Sequence, residues 1–133
     1  MQTTAENMTL KGRLIILMSI IDERLARIFL LETPLKSACL KSINLPELAE
    51  MIQKFDKYFV KNLNKFSDDR DGAACVRKEA IFSRELCDYY LTWLSPVDGK
   101  QQLKELDCEE VRKLTLDYRQ VLDKIIRKTL QNT

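Results

Sequence analysis

The sequence predicts an all-α protein: an antiparallel bundle of about four long helices plus one or two short helical segments, in a single domain over residues 1–133. Three observations carry that expectation. The first is scarcity of turn-formers, with Gly 3 and Pro 3 in 133 residues, which leaves room for only a few connections. The second is apolar residues recurring at spacings of three and four through four long segments. The third is a set of helix start signals placed just ahead of those segments.

The first helix should span about residues 9–32. Thr9 can cap it, and Pro34 stops the pattern, because the residue before a proline is pushed out of the helical region. Leu10, Leu14, Leu17, Ile21, Leu25 and Ile28 form one face. Ile15, Ile16, Ile20, Phe29, Leu30 and Leu31 make other sides apolar as well, so this helix should be central in the bundle or partly covered by a second subunit. Glu23, four residues before Arg27, adds helical support.

Residues 35–43 read as a short helix or helical connection. Asn44-Leu-Pro-Glu47 then combines a cap, a proline in the first turn and an acid at the capping-box position. The second long helix carries Leu48, Ile52, Phe55, Phe59, Leu63 and Phe66 on its stripe, with Lys54, Lys57, Lys61 and Lys65 opposite. Residues 67–72 read as a loop. A third helix over about 73–94 turns Val76, Ala80, Cys87, Tyr90, Leu91 and Leu94 inward. After a turn at 95–99 and a helical turn or two at 100–106, Asp107-Cys-Glu-Glu110 opens a last helix to about residue 130. Its stripe is Val111, Leu114, Tyr118, Val121, Leu122, Ile125, Ile126 and Leu130.

Charge and inventory then narrow function. Lys+Arg 22 against Asp+Glu 20 is too balanced to point to a polyanion on its own. His 0 removes the usual general acid–base and the commonest metal ligand. Cys39, Cys75, Cys87 and Cys108 are too widely spaced for a zinc site and read as reduced, mostly buried thiols of a cytoplasmic protein. The apolar run 14–21 ends at Asp22-Glu-Arg24 without a small-residue cleavage site and is too short to span a bilayer, so neither a signal peptide nor a membrane partner is expected.

No nucleophile–base pairing or glycine-rich phosphate loop is present, so the chain is expected to be no enzyme and to need no cofactor. The segment 67–78 approaches a calcium-binding loop, with Asp69, Asp71 and Gly72 in register. Lys78, however, stands where the closing bidentate glutamate belongs, and the segment reads as a solvated turn. Two basic stretches, Lys54–Lys65 and Arg112–Lys128, raise a nucleic-acid reading. Glu109, Glu110, Asp117 and Asp123 dilute the second, and charge reversal at Lys124, Arg127 and Lys128 would test it.

The favoured expectation is a non-enzymatic protein–protein interaction module, regulatory, adaptor or chaperone-like, and homodimeric. A helical nucleic-acid-binding regulator is the alternative, and a secreted cytokine-like bundle, suggested by the sequon Asn7-Met-Thr9, comes third. The candidate interaction surface is Ile15, Ile16, Ile20, Leu30 and Leu31 of the first helix, with Tyr89 and Trp93 of the third as aromatic anchors. The stretch from Gly12 to Phe29 resembles the first helix of mannitol-repressor-type helical regulators. The resemblance covers those residues alone and implies no site residue or activity.

Overall fold

The computed structural model describes residues 9–30, 44–94 and 108–131. It is an all-α bundle of four helices: α1 (Leu10–Leu30), α2 (Leu45–Asn62), α3 (Arg70–Leu94) and α4 (Cys108–Gln131). The helical readings of 35–43 and 100–106, the turn at 95–99 and the Asp107 cap lie outside the described residues.

Local chemistry sets most helix ends. Thr9 caps α1: the Gly12 N–H donates to its Oγ1 at 3.1 Å and the Arg13 N–H to its carbonyl at 3.0 Å. Asn44 caps α2, its Oδ1 accepting from the Glu47 N–H at 3.0 Å, with Pro46 in the first turn. Glu47 turns its carboxylate toward Arg24 of α1, 3.5 Å away.

The junction between α2 and α3 departs from expectation. The α-helix stops at Asn62, and Leu63–Phe66 tightens into a 3-10 turn that keeps Phe66 buried. The expected loop through Gly72 is shorter than that, since α3 already starts at Arg70. Asp69 supplies the reason: its Oδ1 accepts from the Gly72 N–H at 2.9 Å, and its carbonyl accepts from Ala73 at 3.0 Å. A Cβ at position 72 would collide with the Asp69 carboxylate, so the glycine leaves room for the cap. Asp69, Asp71 and Gly72 thus build a helix start instead of an ion-encircling loop.

Cross-helix pairs give the directions. Arg24–Glu47 and Arg13–Tyr58 make α1 and α2 antiparallel. Arg84–Asp123 and Arg119–Asp88 do the same for α3 and α4, which pack along most of their length. Lys124–Asp56, with the Phe55 and Tyr118 rings 6.4 Å apart, sets α2 beside a parallel α4. α1 lies against α2 and α3, and α4 closes the ring between the same two. The helices therefore alternate in direction along the chain, yet the ring runs α1–α2–α4–α3. The shortest link joins α2 to α3 across a diagonal, with Phe66 tucked beneath the core.

The core follows the stripes. Leu14, Met18, Ile21, Leu25 and Ile28 of α1 meet Leu48, Ile52, Phe55 and Phe59 of α2, Val76, Ala80 and Cys87 of α3, and Tyr118, Leu122 and Ile125 of α4. Fully burying a side chain such as Phe59 is worth roughly 1.5–3 kcal/mol. One stripe member is corrected: Leu130 is exposed, and Thr129 takes the buried place. Thr129 satisfies its hydroxyl by donating to the Ile125 carbonyl at 2.7 Å.

Candidate interaction surface

Surface and interior offer different chemistry, and the interior holds the chain's most perturbed groups. Asp22 of α1 accepts two short hydrogen bonds. Ser83 of α3 donates to its Oδ2 at 2.6 Å, and Tyr118 of α4 donates to its Oδ1 at 2.8 Å. Ser83 and Tyr118 have no exposed surface. Burial raises the Asp22 carboxyl above its ordinary range, the two hydroxyls pull it back, and the Glu79 charge adds to the rise. The Tyr118 hydroxyl is held well above its ordinary value by burial and by the Asp22 charge. The Cys87 thiol is pushed up to about 12, first by burial and then by Asp22, which makes it a poor nucleophile. A perturbed carboxyl can mark an active site, but this one is half-buried among three helices and each of its oxygens accepts a hydrogen bond from a buried hydroxyl. It is a polar clamp.

A second electrostatic feature ties α3 to α4. Arg119 Nε donates to Asp88 Oδ1 at 2.5 Å and its Nη1 to Asp123 Oδ2 at 2.9 Å, while Arg84 reaches the other oxygen of Asp123 at 2.9 Å. These groups are a third to a half exposed, so each pair contributes at most about 1 kcal/mol after solvent screening.

The outer surface exposes several large apolar side chains. On α3, Cys75, Phe82 and Tyr89 recur every seven residues and share one side, and all three are exposed. Phe82 is 56% and Tyr89 55% exposed, and Leu86 between them is half-buried against the core. Tyr89 meets the buried Tyr90 edge-on, ring centroids 6.1 Å apart, which steadies one side of the exposed ring.

Three residues of the expected surface on α1 are described. Ile15 and Ile20 are partly buried, and Ile16 alone, at 44%, is exposed. Between α1 and α2, Leu17, Met51 and Tyr58 line an apolar groove rimmed by Glu47, Glu50 and Lys54. Leu30 and Trp93 lie in the last turns of α1 and α3, and their side chains are outside the described features, as is the whole of Leu31. Tyr89, expected as an aromatic anchor, is exposed, and so is Phe82, which the sequence did not single out. Phe82 lies off the inward stripe, and its signal was the seven-residue recurrence with Cys75 and Tyr89.

Among the described residues, no group of His, Cys, Asp and Glu is arranged to hold a metal ion, and no helix is long and apolar enough to cross a membrane. No protein-family model, curated protein or solved structure matches this chain.

Proposed function

We propose that this chain is a non-enzymatic protein-binding module that pairs with a second copy of itself through the outer flank of α3. The observation that carries the reading is the self-complementary arrangement around Phe82. Lys78 lies one turn before it and Glu85 one turn after, both exposed and neither in an ion pair among the described residues. A two-fold axis beside Phe82, with the two α3 helices antiparallel, brings Phe82 against its own copy. The same operation sets Cys75 opposite Tyr89 and brings Lys78 of each copy within one residue's rise, about 1.5 Å along the axis, of Glu85 of the other. An isologous contact requires that kind of symmetry, in which one patch serves as both sides.

Apolar area drives such a contact and charge selects its register. Covering the exposed halves of Phe82 and Tyr89 on both copies supplies the aromatic anchors that interfaces favour. The rim pairs add at most about 1 kcal/mol each and favour the antiparallel register over a parallel one, which would set like charges side by side. The unpaired thiols of Cys75 and Cys87 support a reducing, cytoplasmic setting.

Light scattering over a concentration series tests the proposal. The unaltered protein should approach twice the monomer mass of 15.6 kDa. Phe82→Glu should leave a monomer with an unchanged helical circular-dichroism spectrum, because the side chain is mostly solvent-facing. Lys78→Glu should weaken the dimer, and the swap K78E/E85K should restore it. A protein that stays monomeric throughout, or a charge swap no better than the single reversal, would refute the reading.

A further inference from the structure

The topology collects positive charge at one end of the bundle in a way the linear sequence conceals. The C-terminal turns of α2 and α4, which run parallel, lie at the same end as the start of α3. Lys57, Lys61 and Lys65, Arg70, and Arg127 and Lys128 come from these three termini and the intervening 3-10 turn. All six are exposed. None has a carboxylate within 4.0 Å among the described residues.

The acids that could neutralise them are engaged elsewhere or confined to one turn. Asp56 is held by Lys124 at 2.7 Å, and Asp123 is shared between Arg84 and Arg119. Asp68, Asp69 and Asp71 are confined to the turn around Arg70, where the Asp69 carboxylate caps α3. The opposite end behaves differently: there Arg24 and Arg27 pair with Glu47 and Glu23. The chain is nearly neutral overall, and among the described residues most exposed cations without an ion pair are gathered at one pole, with Arg112 and Lys113 at the other end among the exceptions.

We infer that this pole binds the phosphodiester backbone of a nucleic acid, without reading its sequence. Cations on separate helix ends, spread over a broad surface, suit a chain of phosphates better than a single anion. A membrane fits less well. An interfacial helix must offer an apolar face to the bilayer, and those of α2 and α4 are committed to the core through Phe55, Phe59, Leu122 and Ile125.

The test is fluorescence anisotropy of a labelled random-sequence DNA duplex titrated with the full chain at several salt concentrations. Binding should weaken as salt rises, log K falling against log salt by about 0.9 for each phosphate neutralised. The pairs K57E/K61E and R127E/K128E should each weaken binding at least about tenfold by removing such contacts. The control is R112E/K113E, which makes the same change in net charge at the exposed start of α4, at the opposite end. It should keep affinity within about twofold, since charges beyond a Debye length are screened.

No binding at low salt would overturn the inference. So would equal losses in the control and the polar variants, which would reduce the effect to net charge. Binding to phosphatidylserine vesicles as tight as to the duplex would also overturn it. A circular-dichroism spectrum matching the unaltered protein is required of every variant, and K57E/K61E and R127E/K128E serve as independent replicates on two helices.

Discussion

Replacing Tyr118 by Phe removes one hydroxyl from the centre of the bundle and leaves the ring. Tyr118 is fully buried, packs against Phe55, and donates to Asp22 Oδ1 at 2.8 Å, with the Met18 carbonyl 3.4 Å away. Little cavity is made, so the cost is that of a lost hydrogen bond to a carboxylate, about 1.5–3 kcal/mol. At roughly 2.1 cal/mol/K of unfolding entropy per residue, that lowers Tm by about 5–11 °C.

Its pH dependence follows from the direction of the Asp22 shift. Burial raises the folded carboxyl above its unfolded value, so the fold prefers the protonated acid. That stabilising contribution is complete below the unfolded value and is lost as pH rises through the raised one. The Tyr118 hydroxyl favours the charged form, so its removal raises the Asp22 carboxyl further. Tyr118→Phe should therefore cost most at neutral pH and shrink toward the value of a neutral hydrogen bond, about 1 kcal/mol, on acidification. Urea denaturation followed by circular dichroism at neutral and acidic pH measures both quantities. A double-mutant cycle with Asp22→Asn isolates the coupling. A loss below about 0.5 kcal/mol at neutral pH, or a cost unchanged in the Asp22→Asn background, would refute the clamp, since coupled buried groups normally exceed that figure.

Two further expectations rest on other parts of the fold. Asn44→Ala should lower stability by about 1 kcal/mol through loss of the bond from the Glu47 N–H, and Asn44→Asp should retain most of it, as urea midpoints would show. In the native protein Cys75 should react with a thiol reagent quickly, whereas Cys87, buried and with its thiol raised to about 12, should react only on unfolding. Peptide mapping of the labelled sites distinguishes the two, and equal reactivity would contradict their placement.

Local interactions made much of this protein legible in one dimension. Helices starting at Thr9 and Asn44 are written in short-range patterns, because a cap satisfies N–H groups only three residues ahead. The stripes through Ile21, Phe55, Val76 and Tyr118 are equally local, since the period of 3.6 residues alone decides which side chains share a face. The Asp69 cap was readable in principle, but the run of acids around it looked more like a loop than a helix start.

Relations between helices could not be read that way. Nothing near Asp22 in sequence announces Ser83 or Tyr118, and an aspartate in a charged stretch reads as solvated until three helices close over it. The surplus isoleucines of α1 looked like an interface. Ile15 and Ile20 are partly buried in the bundle, while the most exposed aromatic among the described residues, Phe82, lies on α3. The lysines of α2 and the bases of α4 are about seventy residues apart, and only the parallel packing of those helices brings them to one pole. Sequence alone determined the helices and their inward faces, because both follow from contacts within a turn. Tertiary structure decided which faces stay open, which charges are cancelled and which acid is buried, because each depends on the segment that packs alongside.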